Sequence, residues 1–330
     1  KQNLQEAFII ILGIIFAYLL MFKTFFEKDG SLFIASKAWS DFASHIPLIR
    51  SFSLGFNFPP QFPLFPGEPI KYHFIFYYFV GILEKLGLNI GLALNIPSFL
   101  GFVFLIFMIY FFAKELFKSK AVGILSVIFF LFNSSLTYVY FFKKYPLSID
   151  SITKIIKNVD FLSFAPYGDG IISAFWNLNI YTNQRHLAIS FGLSLLIIYL
   201  SIKPLLKNEN PKIWTYVILG SILGLSFYLH TAVFLMTITI MGALLIQLKG
   251  LRRNIFVLLL TAAIISLPQY FYLTSSPGFS PHFQTGYLIS GNLNPKNIIE
   301  FWVYNLGVSL FLIPLGFIFA NKFQRKILLS

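Results

Sequence analysis

Long apolar runs separated by short polar breaks set the pattern of this chain. Runs near 7–26, 90–113, 121–140, 186–202, 213–229, 231–248, 255–273 and 299–320 each read as a membrane-spanning helix, since about 17–25 apolar residues cross a bilayer. The segment 70–86, IKYHFIFYYFVGILEKL, departs from the pattern. It is apolar but short, with Lys71, His73, Glu84 and Lys85 toward its ends and Tyr72, Tyr77 and Tyr78 inside. Tyrosine-rich amphipathic helices favour the headgroup layer, so this segment is expected to lie flat. The fold class that follows is all-α. It is a polytopic transmembrane bundle of about eight spans, with amphipathic interfacial helices in a large first extracytoplasmic loop. The whole of 1–330 reads as a single integral membrane domain. The run 7–26 has no small-residue cleavage site after it and reads as an anchor. A start at Lys1, without methionine, reads as a chain trimmed at both ends.

Composition agrees with that pattern. The chain is 57% hydrophobic and 11% charged, with 42 Phe, and its mean hydropathy is +0.77; soluble domains are about 25% charged. The net charge of +13 does not point to nucleic acid, because the basic residues flank hydrophobic runs and form no stripe on a soluble face. The absence of cysteine excludes disulfides and thiolate metal sites. Every second loop is short and basic: KELFKSK, KPLLKNENPK, GLRRN and NKFQRK. That bias makes their side cytoplasmic and predicts a multi-pass protein of the plasma (inner) membrane. The long loops 27–89, 141–185 and 274–298 then lie outside, together with all five histidines. Chemistry is expected there, on loops held by a rigid scaffold.

The first outer loop carries WSDFASHIPLIRSF. Ser40 suits an N-cap, and Asp41 and His45 share a face at a spacing of four. Pro47 is expected to kink this helix or to delay its start past Ser44. Asp41 and His45 are the candidate catalytic pair. The plainer alternative is an acid at a helix start with a solvated histidine beside it. Arg50 falls on the opposite face, toward lipid headgroups. Next, five prolines in NFPPQFPLFPGEP forbid regular helix. They form either a stiff connector or a loop that brings Glu68, Lys71 and His73 toward Asp41. In the second outer loop Ile149, Ile152, Ile155 and Ile156 have helical spacing and predict an interfacial helix. Beyond it, Asp169 lies in a glycine turn, and a tract of amides and aromatics runs through Asn183 to Arg185 and His186. Amides with aromatics suit sugar binding; Arg185 suits a phosphate, or a snorkelling cation at a span's end. His230 lies between two spans, where an ionisable group is a functional candidate.

The order of these parts resembles the C-type glycosyltransferase superfamily of polytopic membrane enzymes, which includes protein O-mannosyltransferases and lipid A aminoarabinose transferases. The resemblance rests on Asp41 in WSDFASHIPLIRSF, on GEPIKYHFIFYYFVGILEKLGL and on ALNIPSFLGFVFLIFMIYFFAKELFKSKAVGILSVIFFLFN. The tract NLNIYTNQRHLAISFGL is similar to uncharacterised bacterial membrane proteins placed near the superfamily. The likeness is one of layout over residues 7–200. It implies an inverting transfer from a polyprenyl-phosphate-linked sugar to a glycan, lipid or protein acceptor, with Asp41 as general base. Glu68, Lys71, His73, Asp169, Asn183, Arg185, His186 and His230 are the substrate-binding candidates under this reading. The resemblance requires no cofactor and is compatible with a divalent cation; no metal ligands are assigned. A carrier or flippase of a lipid-linked sugar is the alternative function.

Overall fold

The computed structural model describes residues 2–35, 39–133, 135–157, 176–274, 289 and 293–330. Two compact units emerge: one comprises Lys1–Ser126, Tyr181–Phe279 and Lys322–Ser330, the other Val127–Ile180 and Ser280–Asn321. Helix α1 (Gln2–Phe22) ends in a small antiparallel hairpin, β1 (Phe25–Lys28) and β2 (Ser31–Ile34). Asp29 and Gly30 turn it with φ of 53° and 75°. Two-residue hairpin loops with both φ positive match the twist of the strands, and Asp-Gly is a preferred pair for them. The hairpin is an addition to the all-helical expectation.

Helices α2 (Trp39–Ser53) and α3 (Ile75–Lys85) follow, then the long α4 (Ile90–Phe117), α5 (Lys120–Leu131), α6 (Tyr138–Lys144), α7 (Ile149–Ile156) and α8 (Trp176–Asn183). The rest are α9 (Leu187–Lys207), α10 (Ile213–Leu225), α11 (Thr231–Gln247), α12 (Arg252–Thr274), α13 (Pro295–Leu306), α14 (Ser309–Phe319) and α15 (Lys322–Leu328). Among the described residues, three segments are long and apolar enough to cross a membrane: Ile90–Phe117, Leu187–Lys207 and Lys249–Tyr272.

Several sequence expectations are corrected. The run 121–140 is not one helix: α5 has 12 residues and stops before Asn133, whose Oδ1 accepts the Ser135 N–H at 3.0 Å. Such local turns compete with helix. The run 299–320 breaks at Gly307 into α13 and α14, bent by 74°. Helix α2 starts at Trp39, ahead of Ser44, and carries Pro47 inside it. Arg50 pairs with Glu84 of α3 at 2.9 Å while its side chain stays 38% exposed. Ser53 donates to the same carboxylate, at 2.5 Å. Helix α3 itself has 11 residues, roughly 16 Å at 1.5 Å per residue, which is too short to cross a core of about 30 Å.

Within the first unit the helices share two ends. At one end Glu6 pairs with Lys114 and Lys120, both at 3.1 Å, and Glu115 pairs with Lys207 at 2.8 Å. Helix α15 closes the same end, with Gln324 donating to Leu116 O and Lys326 to Gln247 O. These contacts gather the basic loops. At the other end lie the hairpin, α2, the proline-rich segment, and the starts of α4, α9 and α11. From Asn95 at that end to Lys114 at the basic end, α4 rises roughly 28 Å, close to a hydrocarbon core of about 30 Å. Helices α1, α10, α11 and α12 run between the same two ends.

Candidate functional site

The proline-rich segment is a built loop. Asn57 donates to Ser51 Oγ and Gln61 O, both at 2.9 Å, and accepts Gln61 N–H at 2.8 Å. Gln61 Oε1 in turn accepts the Gly67 N–H at 3.1 Å. The loop thereby delivers residues 70–74 to the top of the bundle, where Ile70 and Phe74 are buried with Phe42, Ile49 and Tyr77.

Four imidazoles and a phenol meet there. His45 comes from α2, His73 from the end of the loop, Tyr77 from α3, His186 from the residue before α9, and His230 from the turn before α11. The Tyr77 hydroxyl lies 2.7 Å from His45 Nε2 and 2.8 Å from His186 Nδ1. A phenol has one proton, so one imidazole accepts it and the other donates its own N–H to the oxygen. The ring of His186 lies 4.4 Å from that of His73 and 5.1 Å from that of His230, and His73 lies 4.6 Å from His230. His45 and His186 are buried polar residues. Burial, chiefly, pushes His45 and His73 each down to about 3, and drives His186 well below and His230 below the ordinary histidine range. All four are therefore neutral at pH 7.

Asp41 joins the cluster through Gln184. Gln184 Nε2 donates to Asp41 Oδ2 at 3.0 Å, and its Oε1 accepts from the Tyr72 hydroxyl at 3.5 Å. The Tyr72 ring lies 3.7 Å from His73. Burial, with the Asp41 charge second, raises the Tyr72 phenol to about 12. Asp41 and His45 thus lie on one face, as their spacing predicts, but Gln184 is what holds the carboxylate, while His45 bonds Tyr77. Sequence reading missed Gln184, Tyr72 and Tyr77. The expected placement of the histidines on one side of the membrane was the available signal.

Arg185 is placed otherwise than expected. It is 1% exposed. It donates to Thr182 O at 2.8 Å, Asn95 Oδ1 at 3.0 Å, Thr24 Oγ1 at 2.9 Å and Met21 O at 3.3 Å, and lies over the Phe42 ring. Burial lowers its pKa to about 9, which still leaves it charged. The guanidinium ties α1, α4 and the α8–α9 junction together instead of facing a phosphate. Lys71 reaches Tyr272 O and lies 4.7 Å from the Tyr272 ring. Glu68 is exposed in the turn. Asn183 ends α8 with its Oδ1 buried and without a protein partner. Asp169 lies outside the described residues.

One group among the described residues has metal-ligand geometry: His73, His186 and His230, with one ring nitrogen of each within 4.8 Å of the others. The arrangement as a whole offers a half-buried carboxylate with an amide holding it, beside a neutral imidazole cluster, at the apex of a membrane bundle. No family model, curated protein or solved structure matches this chain.

Proposed function

We propose that the chain is a membrane glycosyltransferase that moves a sugar from a polyprenyl-phosphate-type donor to a glycan, lipid or protein acceptor. Asp41 is the general base. The observation that carries this reading is the position of Asp41: one carboxylate, held by Gln184 at 3.0 Å, at the end of the bundle opposite the basic loops. The basic loops mark the cytoplasmic side, so the site faces the extracytoplasmic side of the plasma membrane. Helix α1, the helices α10 and α11 and the bent α13–α14 pair add to the three long spans, and the apolar α5, 12 residues long, would need the chain beyond it to reach across.

The chemistry asks little of the protein. The acceptor oxygen attacks the anomeric carbon and gives its proton to Asp41, while the bond from that carbon to the phosphate oxygen breaks. The phosphate leaves with the electron pair as an anion and needs no acid, so one carboxylate suffices for inversion. The donor's tail fits the apolar groove along α1 and α4, a space of about 300 Å³ lined by Ile9, Gly13, Leu100, Phe104 and Phe107.

Asp41→Asn tests the reading, because it keeps the shape and the Gln184 contact but removes the base. Incubated with a polyprenyl-phosphate-sugar pool and a membrane extract that supplies acceptor hydroxyls, and followed by mass spectrometry of bound lipid, the wild type is expected to transfer the sugar and leave the bare polyprenyl phosphate. The variant is expected to keep the donor uncleaved, with turnover lower by roughly 10²–10⁴-fold. Full activity in Asp41→Asn would sink the assignment. Donor bound but unchanged in both proteins would favour the carrier instead.

A further inference from the structure

Among the described residues, two buried side-chain nitrogens in this cluster have no protein partner: His73 Nε2 and His186 Nε2. A buried polar atom without a partner costs about 1–3 kcal/mol, so two in adjoining rings call for an explanation. Hydrogen-bonding to each other is not the explanation. We propose that His73, His186 and His230 form a binding site for a borderline divalent transition-metal ion of the zinc class, with one coordination position left for a phosphate or water oxygen.

The donor set chooses the metal. Three imidazoles without carboxylate suit Zn²⁺ and its neighbours and not the oxygen-seeking Mg²⁺ or Ca²⁺. Three protein ligands with a fourth position open is the pattern of catalytic zinc. The protonation states agree. Metal at His186 Nε2 requires the proton on Nδ1, and Nδ1 faces the Tyr77 oxygen at 2.8 Å. His186 then donates to Tyr77, and Tyr77 donates to His45 Nε2 at 2.7 Å. Outer partners of this kind fix the tautomer and aim of a ligating histidine. The opposite direction would leave a proton on His186 Nε2 with nothing to receive it.

Closing on an ion needs a small contraction. The ring nitrogens lie within 4.8 Å of one another, and a tetrahedral zinc with ligands at 2.0–2.1 Å holds them roughly 3.4 Å apart. His230 is the ring that has to give. Its Nδ1 accepts the Val233 N–H at 3.4 Å, a long bond at the start of α11. Coordination through Nε2 moves the proton to Nδ1 and ends that bond. His73 and His186 give up nothing.

The ion would also supply what the arginine does not. Arg185 is committed to internal acceptors, so a leaving phosphate finds no guanidinium beside the cluster. The metal site stands without the transferase reading, and its test needs no sugar.

The full chain, purified in detergent and stripped with chelator, is titrated with Zn²⁺ against a chromophoric competitor, and with Co²⁺ for its visible spectrum. One ion per chain and a tetrahedral Co²⁺ spectrum are expected. His73→Ala with His186→Ala is expected to reduce bound metal at least tenfold, whereas His282→Ala leaves it unchanged. Tyr77→Phe, which keeps all three ligands, is expected to weaken binding by roughly 10–100-fold. The fold of each variant is checked by gel filtration and thermal unfolding. No saturable binding by the folded wild type overturns the site, as does full binding by a folded double variant. A transfer assay that fails leaves the site intact, and a failed titration leaves the role of Asp41 intact.

Discussion

Arg185→Met is expected to destabilise the protein by about 3–5 kcal/mol, because it strips donors from buried acceptors without changing the packing volume greatly. Thr182 O, Asn95 Oδ1, Thr24 Oγ1 and Met21 O all lose their guanidinium. Asn95 is itself spent on the hairpin, donating to Phe25 O at 2.7 Å, so it cannot turn to compensate. Arg185→Lys should fall in between, since an ammonium keeps the charge but lacks the planar fork. Unfolding in detergent, followed by tryptophan fluorescence, measures both. A loss under about 1 kcal/mol for Arg185→Met would mean that these contacts carry no net weight. The change should also weaken any activity, because Gln184 and His186 are its chain neighbours.

The second large effect is expected at Gly220. There α10 crosses α12 so closely that a Cβ at 220 would lie 2.4 Å from Leu258 O and 2.8 Å from Thr261 Cβ. One turn on, a Cβ at Gly224 would lie 2.7 Å from Ile265 Cβ. Two glycines four apart allow backbones to approach, as in small-xxx-small packing. Gly220→Val should force the helices apart and cost about 3 kcal/mol. Gly242 is the control. Nothing lies within 4 Å of a Cβ there, so Gly242→Ala in the middle of α11 is expected to stabilise by about 0.5–1 kcal/mol through helix propensity alone. Opposite signs in thermal unfolding would confirm the crossing, and equal shifts would refute it.

The parts of this molecule that were legible in its sequence are the local ones. Apolar runs marked α1, α4, α9, α10, α11 and α12, because periodicity and length are written in consecutive residues. The tyrosine-rich α3, the isoleucine helix α7 and the non-helical proline segment were readable for the same reason. Ile149 and Ile156 of α7 are exposed at 85% and 79%. The hairpin has a local signal too, in the Asp29-Gly30 pair that turns it. What was not legible depends on distant partners. An arginine at the end of a span looks like a surface cation until Met21, Thr24 and Asn95 are seen to surround it. Hydropathy averages could not detect the breaks at Asn133 and Gly307. Four of the five histidines, His45, His73, His186 and His230, do meet at one end of the first unit, but sequence spacing says nothing of rings 113 and 157 positions apart, as His186 and His230 are from His73; His282 lies outside the described residues.

The dual employment of His230 gives the cluster an audible voice. The same ring that faces His73 and His186 also holds the first turn of α11 through the Val233 amide at 3.4 Å. Whatever engages that ring by moving its proton unfastens the amide. Deuterium uptake at Val233 should therefore quicken when Zn²⁺ is added to the stripped protein, while amides deeper in α11 stay protected. Uptake unaltered by saturating Zn²⁺ would show that His230 keeps its bond to the helix. A single backbone proton thus reports, without any substrate, whether the apex of the bundle is engaged.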